Sequence, residues 1–251
     1  MLAATQEKLL SINKQFYQTF AGAFAHTRRR LQQGVWLILD EIPKQGRWLD
    51  LGCGNGELAA EWMRQRRQGS YTGLDFSPTL LEEATRTMSL EPARADLEVR
   101  FLSGDLCDPN WSQPLAGRTF DGVLAFAVLH HLPGANVRQR VVQEVSNLLL
   151  PGGMFIHSTW QFQNSPRMME RVQPWETVGL TDADLEPGDT LLDWRYVLPG
   201  QPEQVGLRYV HLFSREELAE LAHAGSFELD EEFLSDGEGG KLGLYQVWKK
   251  K

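Results

Sequence analysis

The sequence predicts an α/β fold: a doubly wound, mostly parallel seven-stranded sheet with a C-terminal antiparallel hairpin, N-terminal helices and an inserted lid. Three observations predict it. Short apolar runs alternate with helical stretches from residue 45 to residue 160, as in strand–helix–strand units whose strands lie parallel. The run 120–126 is apolar enough to be covered on both faces. Finally, stretches 227–234 and 242–248 flank a turn rich in Gly and Asp, which reads as a hairpin at the sheet edge.

In chain order, residues 2–30 are helical, with Leu9, Ile12, Phe16, Phe20 and Phe24 on one stripe at spacings of three and four. A second helix over 35–42 stops at Pro43. Trp48-Leu49-Asp50-Leu51 is the first strand, followed by a glycine cluster and a helix beginning near Glu57. Residues 71–74 form the second strand, 79–88 a helix opened by Ser77-Pro78, and 97–102 the third strand. The fourth strand is 120–126. A helix over 137–150 is ended by Leu150-Pro151-Gly152-Gly153, and 154–158 make the fifth strand. The alternation then stops. Residues 160–210 hold Trp160, Trp175, Trp194 and several prolines without a clean period, which points to a lid or substrate-binding insertion. Helix returns over 214–224, where Ser214-Arg215-Glu216-Glu217 resembles a capping box.

A chain of 251 residues fits one elaborated domain, because domains run to roughly 100–200 residues and α/β domains to about 250. Its two cysteines, Cys53 and Cys107, make neither a disulfide framework nor a four-ligand zinc site, and no metal is expected. They fit a reducing, cytoplasmic setting. Glu7 and Lys8 interrupt the N-terminus where a signal peptide needs an apolar stretch. The longest apolar run, residues 123–129, is far short of the roughly 20 that span a bilayer. Net charge is −8, yet residues 1–30 hold five basic residues against Glu7 alone, so the rest of the chain carries −12. A basic arm on an acidic body suits local contact with phosphate and equally a solvated helix face.

The chemistry concentrates after the first strand. Asp50-Leu51-Gly52-Cys53-Gly54-Asn55-Gly56 reads G-x-G-x-G, where dinucleotide binders need G-x-G-x-x-G. Asp50 repels a pyrophosphate but suits a ligand bearing an ammonium and a sulfonium. No P-loop motif is present. Asp75, 19 residues after Gly56, ends the second strand, where a carboxylate can accept both ribose hydroxyls. Phe76 is placed to lie on an adenine face, and Asp105, in Ser103-Gly104-Asp105-Leu106, to accept from the adenine amino group.

These residues resemble the class I S-adenosylmethionine-dependent methyltransferases, over about 45–160 and the C-terminal hairpin. Trp48 to Gly56 resembles that family's first motif, Gly73-Leu74-Asp75-Phe76-Ser77 its ribose acid, and Gly104-Asp105-Leu106 its adenine contact. Phe120-Asp121-Gly122-Val123-Leu124 and Leu150-Pro151-Gly152-Gly153 match later landmarks. The resemblance implies a Rossmann-like core using S-adenosyl-L-methionine and releasing S-adenosyl-L-homocysteine. Asp50 with the Gly52 and Cys53 backbone would hold the methionine part, Asp75 the ribose, and Asp105 and Leu106 the adenine. Gly54, Gly56, Phe76, Gly104, Ala125 and Phe126 complete the expected cofactor set. Residues 1–42 are then an N-terminal arm, 45–160 the cofactor-binding core, 160–210 a substrate-side insertion and 211–251 the final helix and hairpin of one domain.

Methyl transfer from a sulfonium is an in-line displacement, so positioning and desolvation supply most of the catalysis and a base is needed only if the acceptor loses a proton. The fourth strand leads into Ala125-Phe126-Ala127-Val128-Leu129-His130-His131, not the [DN]-P-P-[YF] of many adenine amino methyltransferases. His130 and His131 are candidate bases or orienting donors, and a His here also suits a helix cap. Phe24-Ala25-His26-Thr27-Arg28-Arg29, Gly188-Asp189-Thr190-Leu191-Leu192-Asp193-Trp194 and Arg208-Tyr209-Val210-His211-Leu212-Phe213 resemble the tRNA wobble-uridine carboxymethyl methyltransferases, which esterify a carboxylate. A carboxylate needs a cation to orient it, and a guanidinium does so bidentately. Arg28 is the candidate, with Arg208 and His131 as partners. Leu31-Gln32-Gln33-Gly34-Val35-Trp36 stands where that family has Trp-Pro, and Asp193 precedes Trp194 in place of Val-Pro. A metabolite acceptor therefore stays open beside tRNA, as does a cofactor-binding regulatory module without chemistry. The partners expected are tRNA with a small activating protein subunit that supplies basic surface, or a small molecule, and no membrane.

Overall fold

The computed structural model describes residues 1–27, 30–197 and 203–251, with 21–27 described in backbone alone. The N-terminal stripe forms helix α1 (Ala3–Thr27), which buries Leu9, Phe16 and Phe20. Helix α2 (Gln33–Glu41) ends just before Pro43. Next come β1 (Gln45–Leu51), α3 (Glu57–Arg64), β2 (Gln68–Asp75), α4 (Pro78–Ser89), β3 (Leu97–Ser103), β4 (Phe120–Phe126), α5 (Ala135–Leu148) and β5 (Leu149–Trp160). The Ser77 hydroxyl caps α4 by accepting from the Leu80 N–H at 3.4 Å, with Pro78 at the first helical position. Beyond β5 lie α6 (Pro166–Met169), β6 (Val172–Gln173), β7 (Asp189–Tyr196), β8 (Gln204–His211), α7 (Arg215–Ala224), β9 (Phe227–Ser235) and β10 (Gly243–Lys250). No helix of the described residues is long and apolar enough to cross a membrane.

The main sheet has seven strands in the order β3-β2-β1-β4-β5-β10-β9. The first five are mutually parallel, and β10 runs antiparallel to both β5 and β9. The C-terminal hairpin therefore ends the sheet, with β10 inserted and β9 outermost. Each face buries its own apolar layer. One holds Leu49, Val123, Val141 and Trp248; the other holds Trp48, Trp62, Tyr71 and Ile156. Trp48 lies so close to β4 that a side chain at Gly122 would stand 2.2 Å from its ring. The strand order reverses between β1 and β4, which opens the crevice where doubly wound sheets bind ligands.

Three sequence expectations are corrected. The helix expected over 137–150 ends at Leu148, and Leu149 already pairs with Phe120. Pro151-Gly152-Gly153 is an irregularity inside β5, because a left-handed glycine (Gly152, φ +73°) serves a bulge as readily as a helix end. The segment 160–210 is not irregular throughout: β6, β7 and β8 form a separate antiparallel sheet on which α1 packs. Its strands lack a period because both faces are covered; Leu191 packs with Leu9 and Trp175, while its neighbour Leu192 packs with Phe162 and Val210. In the expected capping box at α7, Ser214 does accept from the Glu217 N–H at 3.1 Å. The Glu217 carboxylate is engaged instead by His211 and Arg138.

Candidate active site

A cavity of about 480 Å³ opens at the C-terminal ends of β1, β2, β3 and β4, within the usual size of a small-molecule site. Its floor is the loop between β1 and α3. The N–H groups of Gly52 and Cys53 both donate to the Leu74 carbonyl, at 2.7 and 3.2 Å, so the loop is stitched to β2. From Gly52 it is the carbonyl, not the N–H, that suits an ammonium. Gly56 needs its glycine: φ is +78°, and a Cβ would stand 2.9 Å from the Ala84 backbone. At Gly54 a Cβ would meet nothing within 4 Å, so the loop faces open space there.

The strand-end acids ring this floor. Asp50 is buried and accepts from the Tyr71 hydroxyl. Burial lifts its carboxyl to about 7, a rise the Tyr71 bond opposes and the Asp75 charge adds to. Asp75 is buried and accepts from the N–H groups of Gly54 and Ser77, both at 2.9 Å. Burial raises its pKa, and those backbone donors work against the rise. Asp105 accepts from the Cys107 N–H at 2.9 Å and pairs with Lys14 of α1 at 2.8 Å. Phe76, Leu106 and Phe126 supply apolar wall, with Gly104 beside them. Gly56 and Ala125 lie behind the wall, where they shape the loop and the buried end of β4. Three carboxylates around an open glycine cradle fit an ammonium, a ribose diol and an adenine amino group.

The opposite side combines α1, the turn after β4, and β8. His131 lines the cavity; its Nε2 lies 3.1 Å from the Tyr17 hydroxyl and its Nδ1 3.2 Å from the Tyr209 carbonyl. His130 is fully buried off the wall, its Nδ1 accepting from the Trp160 N–H at 3.3 Å. The structure thus separates the two histidines, which the sequence could not. Arg208 is buried with its guanidinium 4.9 Å from the ring centres of both Phe16 and Trp160. Arg28, the sequence candidate for a carboxylate clamp, lies outside the described residues.

Sequence reasoning missed Leu10, Asn13, Lys14 and Tyr17, which bring one face of α1 to the cavity. Their spacing of three, one and three residues was the available signal, since it marks a single helix face beside the apolar stripe. Below the insertion, His211 lies between Asp189 and Glu217, each 2.8 Å away. Burial pulls its pKa down, but the two carboxylates outweigh this and raise it. Arg138 bridges Glu186 and Glu217 at 2.8 and 3.0 Å, so this cluster already contains its own cation and braces the insertion against α5 and α7.

Residues 49–155 match a family model described as a methyltransferase domain. A demethylmenaquinone methyltransferase of Desulfitobacterium hafniense is 34% identical over 109 residues, 43% of this chain and 40% of that protein. A tRNA (carboxymethyluridine(34)-5-O)-methyltransferase of Schizosaccharomyces pombe is 27% identical over 82% of this chain and 84% of its own. The first curated relatives it matches are longer, and the chain spans 32–48% of their length. A solved S-adenosylmethionine-dependent methyltransferase of Clostridium acetobutylicum superposes with a TM-score of 0.65 at 16% identity, covering 93% of this chain and 98% of that one. The glycine loop and the three strand-end acids fall within residues 49–155, the stretch that matches the methyltransferase domain, and the solved methyltransferase shares the fold.

Proposed function

We propose that this enzyme methylates a carboxylate, with 5-carboxymethyluridine of a tRNA anticodon as the first acceptor to test. The observation that carries the reading is Arg208, a buried guanidinium on the cavity wall between two aromatic rings. In this reading Asp50 and the Gly52 carbonyl hold the methionine end of the cofactor. Asp75 holds the ribose, Phe76 and Leu106 flank the adenine, and Asp105 accepts from its amino group. When bound, S-adenosylmethionine supplies a methyl group activated by the sulfonium and leaves as S-adenosylhomocysteine. The acceptor carboxylate is already an anion and needs no base, so the protein's work is to orient it and exclude water. A guanidinium orients a carboxylate in a fixed plane through paired N–H donors. The Schizosaccharomyces pombe relative, aligned over most of both chains, supports tRNA as the carrier.

A metabolite acceptor is the second reading, favoured by the net charge of −8 and by the demethylmenaquinone methyltransferase relative. One assay separates the two. The enzyme is incubated with methyl-labelled cofactor and two pools, bulk tRNA lacking this modification and a small-molecule extract, and the product is treated with mild alkali. Label in tRNA released as methanol establishes an ester on tRNA. Label confined to the extract moves the assignment to a metabolite. In the pool that accepts label, Arg208→Gln raises acceptor KM by about tenfold or more at unchanged cofactor Kd, the loss of a charged hydrogen bond worth about 1.5–3 kcal/mol. An unchanged KM removes Arg208 from the acceptor site.

A further inference from the structure

Tyr17 and His131 meet on the cavity wall, and the direction of their hydrogen bond is set from the far side of the imidazole. Nδ1 of His131 faces the Tyr209 carbonyl at 3.2 Å, and a carbonyl can only accept. Nδ1 therefore carries a hydrogen, and whenever the ring is neutral its Nε2 is an acceptor. The Tyr17 hydroxyl, 3.1 Å away, then donates to it. A phenol has one hydrogen. With that hydrogen directed at His131, any other group that meets the Tyr17 oxygen must itself donate. Arg208 has the opposite character, with five N–H donors and no acceptor, and lines the same cavity.

Asn13, one helical turn before Tyr17, holds these groups in register. Its Oδ1 accepts from the Tyr209 N–H at 2.9 Å, and its Nδ2 donates to the carbonyls of Tyr209 and His131, both at 3.2 Å. One buried amide thus ties α1 to the strand that carries Arg208 and to the turn that carries His131. The surrounding walls are aromatic, with Trp160 and Trp194 on the cavity and Phe16 beneath Arg208.

We infer that Tyr17 is a specificity-determining residue, selecting an acceptor that carries an N–H or O–H donor on a planar ring near its anionic methyl-receiving group, and that Asn13 positions it. This rests on the acceptor reading above. A ring with an imide N–H beside a carboxylate arm satisfies both Tyr17 and Arg208; a simple aliphatic carboxylate satisfies Arg208 alone.

Two measurements test this, and the first needs no acceptor. Nitrogen-15 spectra of cofactor-loaded protein, at a pH where His131 is neutral, should show the Nδ1-protonated tautomer, with the Nε2 resonance moving in Tyr17→Phe. That variant keeps the ring packed against Phe16 and Phe76, at centroid distances of 5.2 and 5.8 Å. An Nε2-protonated tautomer, or a resonance indifferent to Tyr17→Phe, overturns the inference whatever the acceptor. The second measurement uses the acceptor that takes label and an analogue methylated at its ring N–H or O–H. The wild type should show a KM about fivefold higher for the analogue, the worth of one neutral hydrogen bond of about 1 kcal/mol. Tyr17→Phe should raise the parent KM by the same factor, leave cofactor Kd alone and no longer distinguish the two. Discrimination that survives in Tyr17→Phe overturns the inference. Asn13→Asp, which loses both donors, should raise acceptor KM and shift the His131 resonance; a lowered Tm with neither change removes its positioning role. Label in neither pool sinks the function proposed above, and the tautomer then decides the inference about Tyr17 alone.

Discussion

The two sides of the cavity are built in different ways. The side proposed for the cofactor is a product of local chain: Asp50, the glycine loop, Asp75 and Asp105 sit at or just past the ends of three strands, and the bonds that shape the loop join β1 to its sheet neighbour β2. The side proposed for the acceptor is assembled from segments far apart in sequence, with Asn13 reaching Tyr209 and His131 across separations of 196 and 118 residues. A side set by backbone constrains its own sequence through glycines and turn geometry. A side set by long-range side-chain contacts constrains its local sequence far less.

The sharpest way to break this contrast is at Asp75. Its carboxylate ties the glycine loop through the Gly54 N–H and is proposed to hold the ribose, so Asp75→Ala should weaken cofactor binding by about 100-fold or more, measured by calorimetry. Retained affinity would show that the loop holds itself without that carboxylate. Gly56→Val tests the backbone part alone. Forcing a β-branched residue to φ +78° against Ala84 should cost about 2 kcal/mol and lower Tm by about 4–8 °C. If Tm is unchanged, the loop is less constrained than its geometry implies.

The same contrast explains what was legible. The order of strands and helices through residue 160 could be read because each element carries its own period and caps, as Ser77-Pro78 does for α4. The strand-end acids could be read because their spacing from the glycines is short and fixed. The insertion's sheet could not, since Leu191 and Leu192 are both buried and leave no alternation. Nor could the sequence tell His130 from His131; only the fold turns one into the core and the other to the cavity. The inner face of α1 escaped because its partners lie far off in sequence, from Phe76 and Asp105 to His131 and Tyr209.

A gentler probe of the cofactor side is pH. Asp50 has a carboxyl near 7 and should hold an ammonium only when ionised, so binding is favoured as pH rises through that value. The cofactor Kd should fall by about tenfold from pH 6 to pH 8, and Asp50→Asn should flatten the profile. An equal slope in Asp50→Asn would assign the titration to another group.

The smallest effect is expected where the two sides touch, at the pair between Lys14 of α1 and Asp105. Both partners are partly exposed, with side chains 48% and 30% accessible, and such pairs contribute about 0.2–1 kcal/mol. The Cys107 N–H already fixes the carboxylate through its other oxygen. Lys14 is therefore not needed to orient Asp105, and its charge draws on the oxygen that the adenine amino group would use. Lys14→Met should tighten the cofactor by no more than about threefold at low salt, and the difference should vanish at high salt, where exposed charges are screened. Weakening by tenfold or more would mean that α1 is part of the adenine seat. The division between a side built by local backbone and a side built by distant side chains would then fail at its boundary.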